Sequence, residues 1–393
     1  MDQYLSAEHV AAVSRPTDPV VCFRPHAATR AAEWFVSRFP GKVFYAVKAN
    51  PAPRVLDALA KGGVRHFDVA SIVEVRQVRA QFPDATLAFM HPIKSREAIR
   101  EAYFDHGVRI FSLDAEEELR KIMTETGNAK DLTLCVRLAV DGAHAKFSLA
   151  SKFGARDEAA VTLMQKTRLA AERLGVCFHV GSQTMSPAAY VEAMARVRKV
   201  IAHSGVFVDV VDVGGGFPAA YPGMEPPALE GFIAAIDAEF EAFLSTENSE
   251  LWCEPGRALC AEAESIVLRV EARRDQDLYL NDGGYGALYD AAHFNWRYPV
   301  RALSIASGVL MPYRFYGPTC DDTDLMQGPF FLPSEIGDGD YIEVGTLGAY
   351  GRALAGQFNG FGAFGDVVCA DDPFGTVYAP QIDAPLTGVR FRR

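Results

Sequence analysis

Lys48 stands at the end of an apolar, β-prone run, Phe44-Tyr45-Ala46-Val47, and Ala49-Asn50-Pro51 follows at once. The run reads as a buried strand and Asn-Pro as the turn that stops it. An ammonium in that position is costly to bury unless it is paired or neutralised. Snorkelling to solvent is one escape, and condensation with an aldehyde as a Schiff base is another. Gly214-Gly215-Gly216 closes a second apolar run. Three bare glycines let backbone N–H groups close around a phosphate, or simply make a flexible turn; without GxGxxG spacing they do not indicate a dinucleotide. Glu254 and Arg257 lie on either side of Pro255-Gly256. They could be a plain ion pair, or the carboxylate could keep a pyridine nitrogen protonated while the arginine reaches a phosphate. His179, followed by Gly181-Ser182, is either a satisfied core histidine or an imidazole stacked on a ring, with the serine oxygen on phosphate. Amine, carboxylate, phosphate nest and stacking ring are together what pyridoxal 5′-phosphate (PLP) requires.

A second group of polar residues lies further on: Tyr289-Asp290, Gly317-Pro318-Thr319-Cys320-Asp321-Asp322-Thr323-Asp324, and Gly348-Ala349-Tyr350. An acidic loop is usually solvated or binds calcium, but the EF-hand spacing is absent. Asp290 and Asp321 could receive the distal ammonium of a diamino acid. Cys320, in an exposed loop flanked by carboxylates, reads as a proton donor.

The elements that must carry these residues alternate. A helix is expected from Ala27 to Phe39, closing at Pro40-Gly41. Apolar strand-like runs then fall at 43–48, 66–70, 86–91, 109–113, 132–139, 176–181, 209–213 and 250–254. Helix-period segments separate most of them: Arg54–Lys61, Ile72–Gln81, Ala115–Glu125, Glu158–Leu174, Pro187–His203 and Leu229–Leu244. The alternation implies parallel βαβ units, and eight strands over about 215 residues match a closed TIM-like (β/α)8 barrel. An open doubly wound sheet can be drawn from the same pattern. Barrel enzymes place their chemistry at strand C-termini. Here those ends hold Lys48, Asp68–Ser71, His91, Asp114, Arg137, His179–Ser182, Gly214–Gly216 and Glu254–Arg257. After Arg257 the rhythm changes to strand-like Ser265–Arg274, Leu278–Leu280 and Tyr341–Val344, with frequent Gly and Pro, and one helix-period run, Leu347–Phe358. The expected organisation is a lead-in at 1–25 packed with the second domain, a barrel at 26–262 and an all-β domain at 263–393.

Composition narrows the function classes. A net charge of −11 argues against nucleic acid and favours a cationic small molecule. No apolar stretch is long enough to span a membrane, and Met1–Leu5 carries no signal-like opening, so a cytoplasmic protein is expected. Seven cysteines without a CxxC pair suit reduced thiols, and nine histidines without HExxH give no metal site.

YAVKAN at 45–50, FDVAS at 67–71, HVGSQ at 179–183, DVGGGFP at 212–218, CEPGR at 253–257, LYDAAH at 288–293, GPTCDDTD at 317–324 and GAY…FNGF at 348–361 resemble, in order, the fold-type III PLP decarboxylases, the alanine-racemase-like barrel enzymes, and within them the ornithine decarboxylase branch. The resemblance implies that Lys48 carries the cofactor, His179 stacks on its ring and Glu254 meets the pyridine nitrogen. It puts Ser182, Gly214, Gly215, Gly216, Gly256, Arg257 and Tyr350 at the phosphate end. It makes Cys320 and Asp321, with Asp290, the catalytic and substrate residues of the second domain. Asp68, Glu74, Arg137, Lys152, Tyr289 and Phe358 match positions that line or brace the pocket. The implied reaction is decarboxylation of a basic L-amino acid, L-ornithine to putrescine in polyamine synthesis, with L-lysine to cadaverine beside it. The implied assembly is a homodimer with shared active sites. Asp322-Thr323 and Phe294-Asn295-Trp296 depart from the pattern. A diaminopimelate decarboxylase would carry glutamate after the cysteine, where this chain has Asp321. A catalytically inactive regulatory homologue is a further alternative, against which Lys48, Glu254, Arg257 and Cys320 stand intact.

Overall fold

The computed structural model describes residues 1–140, 144–147, 152–243, 249–304 and 308–378. Eight parallel strands close into a barrel: Lys42–Ala46, His66–Val69, Thr86–Phe89, Ile110–Leu113, Thr133–Arg137, Arg173–Cys177, Val210–Asp212 and Glu250–Cys253. The last pairs with the first, Trp252 opposite Lys42, so no edge remains and the open-sheet alternative is excluded. Phe44, Met90, Ile110, Cys135, Cys177, Val210 and Trp252 pack into one cluster across these strands. Helices connect successive strands, among them Pro53–Lys61, Ile72–Gln81, Arg96–Phe104 and Ala188–Ser204. Ser71 caps one of them, its Oγ accepting the Glu74 N–H at 3.3 Å.

Nine further strands form a second sheet, and Ala145–Phe147 pairs antiparallel with Ser182–Thr184 apart from it. Glu264–Arg274 is its hub, pairing with Val20–Phe23, Tyr341–Val344 and Asp277–Leu280 in turn. Leu310–Tyr316 and Leu325–Pro333 extend one side. On the other, Gly365–Cys369 lies parallel between Asp2–Tyr4 and Val20–Phe23, so both N-terminal strands belong to this sheet. Residues 379–393 of the expected β domain lie outside the described residues.

Three expectations are corrected, and the lead-in holds a helix that the sequence reading passed over. The first barrel strand ends at Ala46, and Lys48 sits in a single 3-10 turn, Val47–Ala49, two residues past it. The helix expected over Glu158–Leu174 runs Asp157–Ala170, because Leu174-Gly175-Val176 is taken by the barrel strand. The expected run Leu347–Phe358 is no α-helix: Tyr350 has φ 60°, a left-handed turn no helix tolerates, and only short 3-10 turns at Arg352–Leu354 and Phe358–Gly360 remain. The lead-in contains a helix, Ala7–Ser14, begun by Ser6, whose side chain accepts the His9 N–H.

Candidate active site

The turn that carries Lys48 is gripped from both domains. The Tyr45 hydroxyl donates to Asn50 O at 3.1 Å, and the Tyr350 N–H donates to Ala49 O at 2.9 Å. Asn50 Nδ2 donates to Glu264 Oε2 at 2.9 Å and to Gly348 O at 2.8 Å, tying the turn to the sheet. Lys48 Nζ lies 2.7 Å from Asp68 Oδ2, on the neighbouring strand. Asp68 is 2% exposed whereas the Lys48 side chain leaves 42% of its surface open, so a buried acid holds an amine that a ligand can reach. Desolvation would lower the amine's pKa, but Asp68 more than offsets it and keeps the ammonium form above its ordinary value. Lys48 must therefore lose a proton before its nitrogen can attack an aldehyde.

On the other side of the Lys48 strand from Asp68, Glu254 follows the neighbouring strand Glu250–Cys253. Burial, then the neighbouring Asp212, pushes its pKa well above the ordinary carboxyl range, and its Oε1 is buried without a partner among the described residues. Gly256 closely approaches the Lys48 turn: a Cβ there would lie 2.9 Å from Ala49 Cβ. Arg257 then opens the short helix Arg257–Cys260. Its guanidinium donates to the Tyr221 hydroxyl at 3.0 Å and lies 4.7 Å over Trp296 and 4.9 Å over Tyr350, leaving Nε unpaired.

Gly214 (φ 69°) and Gly216 (φ 113°) are left-handed, and a Cβ at Gly214 would sit 2.0 Å from Phe178 O. The Gly214 N–H donates to Asp212 at 2.8 Å, while those of Gly215 and Gly216 make no hydrogen bond among the described residues. A Cβ on Gly215 would lie 3.1 Å from His179 Nε2. His179 Nδ1 accepts the Gly181 N–H at 3.0 Å, which assigns the remaining proton to Nε2. Burial, then the charges of Arg137 and Lys48, pushes the imidazole pKa down to about 3, so the ring is neutral. Ser182 starts the strand Ser182–Thr184 beside it. Arg137 lies 5.4 Å over Phe153, which Lys152 also overlies at 5.0 Å. An orphaned carboxyl oxygen, an unpaired guanidinium nitrogen, two free amides and a lysine with its counter-ion fit a group bearing a ring nitrogen, a phosphate and an aldehyde.

Cys320, Asp321 and Phe358 gather elsewhere. The exposed Cys320 donates its N–H to Asn359 Oδ1 at 3.1 Å. Asp321 accepts from the Thr323 N–H at 2.8 Å, the Tyr285 hydroxyl at 2.7 Å and Thr323 Oγ1 at 2.8 Å, and these bonds lower its pKa. Phe358 is half-exposed and packs on Tyr285 at 4.8 Å. Cys320 and Asp321 line a cavity of about 760 Å³ that contains neither Lys48 nor Glu254 nor any glycine of 214–216. Asp290 is buried and 3.7 Å from Arg257, on the barrel side of the site, apart from the Asp321 of its own chain. Tyr289 packs on His293 at 4.2 Å. Glu74 Oε2 accepts the Ala70 N–H at 2.6 Å, a brace beneath the pocket.

Sequence reasoning passed over Asp212, Tyr221, Tyr285, Trp296 and Asp324. Asp212 was visible as the acid that opens DVGGGFP, and Trp296 lay in the aromatic run already noted as a departure. Tyr221 and Tyr285 sit among turn residues and gave no signal. Among the described residues no cluster of His, Cys, Asp and Glu is arranged for a metal, and no helix is long and apolar enough to cross a membrane.

Residues 26–261 match the family described as pyridoxal-dependent decarboxylase, pyridoxal binding domain. The chain is 34% identical over 340 residues to the lysine/ornithine decarboxylase of Selenomonas ruminantium, covering 84% of each. It is 29% identical over 347 residues to antizyme inhibitor 2 of Xenopus laevis, covering 81% of this chain and 74% of that one. Its fold is similar to that of the lysine/ornithine decarboxylase of Vibrio vulnificus, solved with cadaverine, at TM-score 0.80 and 30% identity, over 94% of this chain and 100% of the other. With the barrel, the residues that fit the cofactor and the family match in agreement, the chain belongs to the pyridoxal-dependent decarboxylases and is an enzyme whose cofactor is PLP.

Proposed function

We propose that this decarboxylase converts L-ornithine to putrescine, with L-lysine to cadaverine as a second reaction. The observation that carries the reading is the Cys320-Asp321 turn. Asp321 is surrounded by hydrogen-bond donors and has no cationic partner among the described residues, which suits the distal ammonium of a diamino acid. A diaminopimelate tail would add a carboxylate beside Asp321, Asp322 and Asp324, where it is repelled. The similarity to antizyme inhibitor 2 raises the regulatory alternative. The Lys48–Asp68 pair, the orphaned Glu254 oxygen and the free amides of Gly215 and Gly216 favour an active enzyme instead.

When bound, PLP supplies a protonated pyridine ring that accepts the electron pair of the breaking bond between Cα and the carboxylate. Lys48 Nζ would hold its aldehyde carbon, Glu254 its ring nitrogen, and the neutral His179 a face of the ring. Arg257, Ser182, Tyr350 and the amides of Gly215 and Gly216 would hold the phosphate, with Asp290 orienting Arg257. Asp68 serves as counter-ion to Lys48 and receives its proton when the amine is needed as a nucleophile. Asp321 binds the distal ammonium, and Cys320 Sγ returns a proton to Cα after carbon dioxide leaves. Because the cavity of Cys320 excludes the residues around Lys48, the reading includes a two-fold dimer in which the partner's Cys320 and the partner's Asp321 complete each barrel site.

Comparing kcat/KM for ornithine, lysine and diaminopimelate tests the substrate. Ornithine and lysine are expected to differ by no more than the about 10–200-fold that one methylene allows. A preference for diaminopimelate overturns the reading. Loss of turnover on all three, with PLP bound, would assign the chain to the regulatory class.

A further inference from the structure

Asp212 closes the barrel strand Val210–Asp212 and is 1% exposed. Its Oδ1 accepts the Gly214 N–H at 2.8 Å, and the same carboxyl lies close enough to that of Glu254 for each to shift the other's pKa. The Glu254 N–H in turn donates to Gly214 O at 2.8 Å. Gly214 therefore bridges Asp212 and Glu254 through two hydrogen bonds, joining the start of the glycine loop to the acid whose Oε1 has no partner among the described residues. Two carboxyls in contact in a dry site cannot both ionise, so the pair keeps one proton between them. Burial first, and Asp68 among the later causes, raises the Asp212 carboxyl to about 6 in the same sense.

The other groups facing this pair do not replace Asp212. Lys48 is engaged by Asp68 at 2.7 Å. The thiols of Cys135, Cys177 and Cys253, from three barrel strands, are held protonated by burial. The neutral His179 reaches the glycine loop at Gly215.

We propose that Asp212 is a positioning residue for the cofactor's ring nitrogen: it aims Glu254 into the site and, by keeping a second negative charge beside it, holds the proton on that nitrogen. The inference rests on the reading that Glu254 meets the nitrogen. The proton balance is internal. The pair enters with one proton, the Oε–H bond of Glu254 breaks as the N–H bond of the ring forms, and both acids are then carboxylates facing one cation. Gly214 extends the coupling, because the loop that offers Gly215 and Gly216 to the phosphate is fixed to the same Asp212 oxygen.

The test uses holoenzyme loaded with PLP that is 15N-labelled in the ring, with the nitrogen resonance followed against pH. Asp212→Asn keeps an oxygen for the Gly214 N–H, removes the charge and turns the other oxygen into an amide donor. It is expected to let the ring nitrogen lose its proton at a pH about one unit or more below wild type, a tenfold or greater loss of proton affinity. Glu254→Gln is the reference and should lower it further. An Asp212→Asn titration equal to wild type, with Glu254→Gln shifted, overturns the role of Asp212. Neither variant shifting would overturn the Glu254 reading itself. Should Asp212→Asn fail to fold, wild type decides: infrared difference spectra between cofactor-free and loaded protein at pH 7 should lose a protonated-carboxyl band on loading, and absence of that loss overturns the proposal.

Discussion

A lysine whose nitrogen must attack carbon is poorly served by a permanent charge, yet Asp68 holds Lys48 in its ammonium form, so the amine must first give up a proton, and the buried acid 2.7 Å away is placed to take it. Borohydride reduction of the yellow holoenzyme should fix the cofactor to the peptide containing Lys48, and a label on Lys152 would end the assignment. Asp321 tests the other end of the substrate. Asp321→Ala removes a charge-assisted hydrogen bond of about 1.5–3 kcal/mol and is expected to raise KM for ornithine about 10- to 150-fold, with PLP still bound. Preferential loss of PLP would instead tie that turn to the cofactor. Residues of this kind were legible because their chemistry is local: a lysine beside Asn-Pro, three glycines after a strand, a glutamate before Pro-Gly. What the sequence did not disclose is pairing. Asp290 packs against Arg257 at 3.7 Å, and the aromatic box of Tyr221 and Trp296 around Arg257 joins residues far apart in the chain.

The turn Gly317–Asp324 shows how one element is held for function. Asp324 is buried, and its carboxylate accepts the Gly284 N–H at 2.7 Å, the Thr319 hydroxyl at 2.7 Å and the Thr319 N–H at 3.2 Å, so Cys320 and Asp321 project from a turn with a fixed base. Asp324→Ala strands those donors. We expect it to cost about 1–3 kcal/mol in denaturant unfolding and to raise KM, while PLP affinity stays at the wild-type value. If KM and stability are both unchanged, the turn owes its shape to something else. The barrel strands were legible at this scale because apolar runs alternated with helix-period segments, and their polar ends marked the mouth. Boundaries failed where one apolar stretch served two elements, as at Leu174–Val176. They failed again where backbone conformation overrode composition, as at Tyr350, whose left-handed φ stops a helix that its neighbours would support.

For the whole molecule the consequence is division of labour. Lys48→Ala and Cys320→Ala should each be inactive alone. If their subunits are mixed and exchange, about half the dimers become hybrids with one site carrying both defects and one carrying neither, so activity should return to about a quarter of wild type. Demonstrated exchange without recovery would place each site within a single chain. The strand Gly365–Cys369, wedged between Asp2–Tyr4 and Val20–Phe23, has a consequence in time. A ribosome delivers Asp2–Tyr4 and Val20–Phe23 before any barrel strand, and their common neighbour only after all eight barrel strands have emerged. Through synthesis those early strands wait as unpaired edges, open to wrong partners. The sheet that grips the Lys48 turn through Glu264 and Gly348 is incomplete until then, so stable capture of the cofactor is expected to wait for Gly365–Cys369 to emerge rather than to follow closure of the barrel alone.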